Sequence, residues 1–238
     1  MKAMLFAAGL GTRLKPFTDN APKALAEVNN KTLLEHNIRY LQRYGIDDIV
    51  VNVHHFAGMI EDVLAQNHGF GSFVDISDER EEVLETGGGL KKAAPLFAGE
   101  EDIVVMNVDV LTTLNLEALI ASHKESGALA TLAVMKRESS RHLLFDNDMQ
   151  LCGWTSNKTG EIKTARDLTY AQPYAFSGIQ VISSQLFNHI PFDGKFSMID
   201  VYLHFAKNDA IKGYDHSGNV FIDVGKPESL QQAAYLFE

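Results

Sequence analysis

Ala3-Met4-Leu5-Phe6-Ala7-Ala8-Gly9-Leu10-Gly11-Thr12-Arg13 follows Met1-Lys2, and its reading decides the fold. A short apolar run that ends in glycine has the pattern of a parallel strand buried on both faces. Glycines directly after such a strand let the backbone approach a ligand and turn its N–H groups toward phosphate oxygens. The loop is not a P-loop, because no Gly-Lys-Ser/Thr closes it, and Leu14 stands where Gly-x-Gly-x-x-Gly needs its third glycine. Taken alone, a Gly-x-Gly turn is as often a plain tight turn. The cations that follow change the weighing: Arg13 can fork onto two phosphate oxygens, and Lys23, held by Pro22, adds a compact charge. Two cations and a row of amides suit a triphosphate. The segment also imitates a short signal peptide, but no small-residue cleavage site follows it.

Outward from this loop the pattern repeats as strand and helix. Leu34, Ile38, Leu41 and Tyr44 recur at helical spacing over Thr32 to Tyr44, with Gly45 as a C-cap. Asp48 to His54 reads as a strand, and Ile60, Val63 and Leu64 mark a helix finished by Gly69. Asp102 to Val110 reads as a central strand with a polar end at Asn107 and Asp109. A helix carrying Leu116, Leu119, Ile120 and His123 then stops at Gly127, and Ala128 to Met135 is another strand. Ser139 to Tyr174 is more polar and predicts hairpins that form a smaller lobe over the sheet. Phe176 to Ile182, Ser197 to Ala206 and Val220 to Val224 read as strand, helix and strand, and Pro227 opens a closing helix through Leu236. Alternating strands and helices imply right-handed crossovers and a parallel sheet.

The 238 residues carry 21 Lys and Arg against 31 Asp and Glu, a net charge of −10, which excludes a surface built to hold nucleic acid or an anionic membrane. The charge is uneven. Residues 1–44 carry +4 and the remainder −14, so a basic opening loop sits in an acidic protein. No apolar run approaches the ~18–20 residues that span a bilayer. A single cysteine, Cys152, excludes an intramolecular disulfide and fits a reducing cytoplasm. His54 and His55 lack metal-ligand partners at suitable spacing and read as structural, as do Cys152 and His123.

Gly9-Leu10-Gly11-Thr12-Arg13 with Pro16, Thr18, Pro22 and Lys23 resembles the signature of the sugar-1-phosphate nucleotidyltransferases. The resemblance continues in order through Glu85-Thr86-Gly87-Gly88-Gly89, Asn107-Val108-Asp109, Phe176-Ser177-Gly178 and Asp223-Val224-Gly225. Within that family, Glu-Thr-Gly-Gly-Gly and Phe-Ser-Gly are most similar to the bacterial N-acetylmuramate 1-phosphate uridylyltransferases, with mannose-1-phosphate guanylyltransferases as neighbours. The resemblance implies an α/β fold with a Rossmann-like, mostly parallel sheet flanked by helices and a small β-rich sugar-binding lobe. One domain over 1–238 would divide into a nucleotide-binding part, about 1–135, and a sugar-binding part, about 136–238. The partners implied are a nucleoside triphosphate and a sugar 1-phosphate, the cofactor Mg²⁺, and the setting cytoplasmic cell-wall sugar recycling. With the last motif so close to Glu238, an appended acetyltransferase β-helix is not expected.

In this reading Ala8, Gly9, Gly11 and Thr12 wrap the triphosphate, Arg13 offsets charge on the leaving pyrophosphate, and Lys23 draws the α-phosphate and the attacking phosphate together. Asp109 and Asp223, each ending a short apolar strand, are the metal ligands; from the pattern alone either is more readily a cap on a following turn or helix. Glu85, Thr86 and Gly87 lie beside base and ribose, glycine backbone offering hydrogen bonds to base edges, while Leu90 opens a helix. Glu85 stands where many members have glycine, and would select the base or face the sugar. Asn107 faces the nucleotide or the sugar, where it is placed among the sugar contacts, and Gly178 lets the sugar approach. Where many members have Glu-Lys-Pro this chain has Glu161-Ile162-Lys163, so the usual sugar contacts do not carry over and Glu161 stands as the acidic candidate. The competing readings are another nucleotide and sugar pair, a non-catalytic nucleotide- or sugar-binding module, and a nicotinamide-dependent dehydrogenase, which the missing third glycine disfavours.

Overall fold

The computed structural model describes residues 1–237. Strand β1 (Lys2–Phe6) leads through the glycine loop to a two-residue hairpin, β2 (Glu27–Val28) and β3 (Lys31–Thr32), turned by Asn29 and Asn30 at φ of 51° and 62°. Helix α1 (Leu33–Gln42) follows, then β4 (Asp48–Val53), α2 (Ala57–Gln66), β5 (Phe73–Asp78), α3 (Glu85–Ala93), β6 (Asp102–Asn107) and β7 (Val110–Thr112). Next come α4 (Leu116–Ser126), β8 (Ala130–Met135), β9 (Arg141–Phe145), β10 (Leu151–Ser156), β11 (Ile162–Thr164) and β12 (Gln172–Ser183). Helix α5 (Met198–Phe205), β13 (Ile211–Asp215), β14 (Phe221–Asp223) and α6 (Pro227–Leu236) complete the chain.

A ten-stranded sheet runs through the molecule in the order β11-β10-β9-β12-β6-β1-β4-β5, with β8 and β13 attached beside β12. The half built from β6, β1, β4 and β5 is parallel: β1 lies between β4 and β6, with Leu5 opposite Val51 and Met106. Ala3, Met4 and Leu5 are wholly buried, as an all-apolar strand covered on both faces requires. One core packs α1, α2 and α4 against one face, through Leu34, Ile38, Ile60 and Leu119; a second packs α3 and α5 against the other, through Leu90, Val201 and Tyr202. Each fully buried leucine or isoleucine contributes roughly 1.5–3 kcal/mol. Thr32 caps α1 by accepting from Glu35 N–H at 3.0 Å, and Gly127 ends α4 at φ 58°.

Three expectations need correction. The strand expected over Asp102 to Val110 is two: β6 stops at Asn107, because β1 has left the sheet at Phe6 while β12 bulges between Phe176 and Gln180. After a last bond from Val108 N–H to the Phe6 carbonyl at 3.2 Å, the chain turns at Asp109, and β7 pairs instead with β14. The hairpins of 139–174 extend the sheet edge rather than lying over it: the first half of β12 pairs with β9 and its second half with β6. Helix α3 begins at Glu85, not Leu90, so Glu85-Thr86-Gly87-Gly88-Gly89 is its first turns. Strands β5 and β13 are absent from the sequence reading; in β5 Phe73 is 79% exposed, so the edge strand lacks a clear apolar face.

Candidate active site

The site lies where β1, β6 and β14 end and β7 begins. Gly11 takes φ 61°, and a Cβ there would stand 2.8 Å from the Thr18 methyl. Thr18 Oγ1 donates to the Gly11 carbonyl at 2.9 Å, and Thr12 to Leu14 form one tight turn closed by Leu14 N–H on the same carbonyl at 2.8 Å. Leu14, in the position of a third glycine, is an anchor: it is 1% exposed in a small cluster with Ala26, Leu111, Ile222 and Val224. Burying Leu14 leaves the neighbouring Arg13 side chain exposed, 3.9 Å from Asp223 Oδ2.

The pairing of β7 with β14 sets Asp223 opposite Val110, and Val224 N–H donates to the Asp109 carbonyl at 2.8 Å. Two carboxylates 114 positions apart in sequence thereby flank one cation. Lys23, 8% exposed, binds Asp109 Oδ2 closely and lies 3.8 Å from Asp223 Oδ1. Burial pushes the Asp223 carboxyl up, and the charge of Asp109 pushes it further; Lys23, Arg13 and Arg137 oppose the shift. Among the described residues no cluster of three or more His, Cys, Asp or Glu could cage a metal. Two carboxylates brought to one spot beside the glycine loop do fit Mg²⁺, which takes one or two protein carboxylates and fills its octahedron with phosphate oxygens and water.

Sequence reasoning missed Arg137. It follows β8, lies over the Phe221 ring at 4.7 Å, donates to the Phe176 carbonyl at 3.0 Å, and loses basicity by burial. Its place just past a strand's carboxyl end is the signal that points to it.

Two cavities meet at this cluster. One, of about 200 Å³, is walled by Ala8, Gly9, Asn52, Glu79, Thr86 and Asn107 among others. The other is a cleft of about 1090 Å³ toward the hairpins, lined by Arg137, Arg141, Trp154, Lys158, Lys163 and Asp200 among others. Lys23 and Asp109 face the first, Arg13 and Asp223 the second, and Glu85 both.

Several expected residues do other work. The Ala7 and Ala8 N–H groups both donate to Asn52 Oδ1, at 2.7 and 3.2 Å, so Ala8 is held from behind. Asn52 Nδ2 donates to Glu79 Oε1 at 2.7 Å, and Glu79 Oε2 accepts from Leu84 N–H at 3.3 Å. Burial raises the Glu79 carboxyl above its ordinary value. Neither Asn52 nor Glu79 was legible as a site residue, though Asn52 inside an apolar strand is the kind of buried polar group that needs an explanation. The Gly87 and Gly88 N–H groups donate to the Phe196 carbonyl at 2.9 and 3.2 Å, which engages them away from any base edge. A Cβ on Gly87 would meet the Phe196 ring at 2.4 Å, and one on Gly88 the Gly194 carbonyl at 2.2 Å. Gly87 and Gly88 thus clamp α3 to the segment before α5, with Thr86 Oγ1 accepting from Met198 N–H at 3.0 Å, while Gly89 packs on Glu79. Gly178, at φ 70°, backs Asn107: a Cβ there would lie 2.7 Å from Asn107 Nδ2. Glu161 is exposed, pairs through its carbonyl with Ser156 N–H at 2.9 Å, and does not line the cleft, whereas Lys158 and Lys163 do. His54 binds the Glu79 carbonyl, His123 bridges Thr131 and Asp102, and Cys152 is buried with its thiol pushed up by burial.

A sheet whose parallel strands β1 and β6 end at a cation and carboxylate cluster between two cavities is an arrangement suited to a class of protein with two anionic ligands. Residues 2–143 match the Nucleotidyl transferase family. The N-acetylmuramate alpha-1-phosphate uridylyltransferases of Caulobacter vibrioides and Neisseria meningitidis are each 30% identical, the first over 95% of this chain and 93% of its own length, the second over 99% and 98%. The chain therefore belongs to the nucleotidyltransferases that act on sugar 1-phosphates. Among solved structures it resembles HddC from Yersinia pseudotuberculosis, with a TM-score of 0.80 and 25% identity across 100% of this chain and 99% of that one. No helix among the described residues is long and apolar enough to cross a membrane.

Proposed function

We propose that the protein joins a nucleoside triphosphate to a sugar 1-phosphate, with UTP and N-acetylmuramate 1-phosphate as the pair. The observation that carries the reading is the convergence of Arg13, Lys23, Asp109 and Asp223 where the two cavities meet. An oxygen of the sugar phosphate attacks the α-phosphorus, the bond to the β-phosphate oxygen breaks, and pyrophosphate leaves with that electron pair. Such a transfer is driven by positioning and by spreading negative charge. The small cavity takes the base and ribose, and the backbone at Gly9, Gly11 and Thr12 turns the triphosphate toward the cluster. Lys23 holds the α-phosphate and the incoming phosphate against their mutual repulsion, and Arg13 offsets charge on the departing pyrophosphate. Asp109 and Asp223 would hold Mg²⁺, which neutralises phosphate charge and orients phosphate oxygens when bound.

N-acetylmuramate carries a carboxylate besides its phosphate, and the large cleft offers charge to meet it. Lys163 is paired with Asp200 at 2.9 Å, but among the described residues Arg141 and Lys158 form no ion pair. The similarity to the two uridylyltransferases over almost the whole chain supports the same pair. The setting proposed is the cytoplasm, in the recycling of cell-wall sugars. The test is pyrophosphate release from each of four nucleoside triphosphates with N-acetylmuramate, mannose and glucose 1-phosphates in Mg²⁺. Turnover highest for UTP with N-acetylmuramate 1-phosphate is expected. Higher turnover with another pair overturns the substrate assignment, and nucleotide binding without turnover by any pair overturns the enzyme reading in favour of a binding module.

A further inference from the structure

Glu85 is the first residue of α3 and holds φ 60°, in the left-handed region that an L side chain with a Cβ adopts at a cost and glycine adopts freely. Nothing in the helix start requires glutamate: no side chain caps it, and the clamp to Phe196 and Met198 is made by Gly87, Gly88 and Thr86. Glutamate kept on a strained backbone where glycine would relax points to a task for the side chain. Its position states the task. Glu85 is the residue shared by both cavities outside the cation cluster, and its Oε1 leans to 4.0 Å from Lys195 Nζ, on the segment that leads into α5 beside the large cleft. A carboxylate repels phosphate, and with Lys195 no nearer than 4.0 Å it keeps acceptor capacity for the hydroxyl and N–H donors of a ligand.

We propose that Glu85 is a specificity-determining residue whose carboxylate accepts hydrogen bonds from hydroxyl or amide N–H groups of the acceptor sugar, fixing the sugar's orientation against the bound nucleotide. The proposal rests on the two-substrate reading above. Between base and sugar, it assigns the carboxylate to the sugar.

The test compares Glu85→Gly and Glu85→Gln with the unaltered protein, using UTP and N-acetylmuramate 1-phosphate. Glycine relieves the backbone, so the melting temperature should stay within about 2 °C of wild type or rise. UTP affinity, measured by calorimetry without acceptor, should change less than about threefold. KM for the sugar phosphate should rise by about 10-fold or more, as expected for a lost hydrogen bond to a charged group. Glu85→Gln keeps an acceptor oxygen and should recover part of that loss. An unchanged sugar KM in Glu85→Gly overturns the proposal, as does an equal loss of UTP affinity, which would assign Glu85 to the nucleotide. Unfolding of Glu85→Gly while Glu85→Gln stays folded and kinetically normal would make the residue structural and also overturn it. Absence of turnover by the wild-type protein with every sugar phosphate would instead fail the two-substrate reading, so the two failures are distinct.

Discussion

Replacing Asn52 with alanine removes one amide on which three buried groups depend. The Ala7 and Ala8 N–H groups lose their shared acceptor and Glu79 loses its 2.7 Å donor, in a region where Ala7, Ala8 and Glu79 are 4%, 7% and 1% exposed. A buried group left without a partner costs about 1–3 kcal/mol. The two N–H groups share a single oxygen, and the adjacent cavity admits water to part of the gap, so the sum falls to about 2–4 kcal/mol. With a urea dependence of about 3 kcal/mol per molar, the unfolding midpoint should drop by about 1 M. Nucleotide affinity should fall as well, because Ala8 directs the backbone into Gly9 and Gly11. An unshifted midpoint would refute the bridge. A shifted midpoint with wild-type nucleotide affinity would refute its role in the loop. Asn52→Asp keeps both N–H bonds but sets a second carboxylate against Glu79, whose proton affinity burial already raises. Its stability relative to wild type should fall as pH rises through the raised carboxyl range.

Asp223→Asn should abolish turnover yet hold or raise the melting temperature, because an ionised Asp223 is disfavoured by burial and by Asp109; a less stable variant contradicts the charge account. Arg141→Ala or Lys158→Ala should raise KM for N-acetylmuramate 1-phosphate several-fold, while Glu161→Ala leaves it unchanged; steady-state kinetics with mannose 1-phosphate as a neutral-sugar control decides. Gly88→Ala should destabilise by about 1–3 kcal/mol in urea unfolding, since its Cβ meets the Gly194 carbonyl at 2.2 Å. His216 is buried against Ser177 Oγ at 2.8 Å, and burial lowers its pKa to about 4. A depressed folded-state histidine pKa means stability is full above about pH 6.5 and is lost as pH falls toward 4, by up to roughly 3 kcal/mol. His216→Gln should flatten that slope in acid titrations.

In the parallel half of the sheet all but the edge strand β5 was legible, because buried strands and amphipathic helices leave strong periodic patterns, as in Ala3 to Leu5 and Leu34 to Leu41. The position of Arg13 beside Asp223 was not: it follows from Leu14 filling a pocket made by β7 and β14, which are three residues each. Asp102 to Val110 reads as one apolar run, and its break at Asn107 depends on where β1 and β12 leave it. The Gly87-Gly88-Gly89 run points to close approach, but what approaches is Phe196, Gly194 and Glu79 rather than an empty ligand site. Asn52 and Glu79 lie 27 positions apart, and only the parallel pairing of β4 with β5 brings them together.

The central claim is that the α-phosphate passes to the sugar phosphate at the Arg13, Lys23, Asp109 and Asp223 cluster. Incubation with UTP labelled at the α-phosphorus, N-acetylmuramate 1-phosphate and Mg²⁺ tests it directly. The label should appear in a nucleoside diphosphate-sugar, with one pyrophosphate released per product and none formed by Lys23→Ala. Label recovered only as free UMP or UDP, or full product formation by Lys23→Ala, would contradict the account.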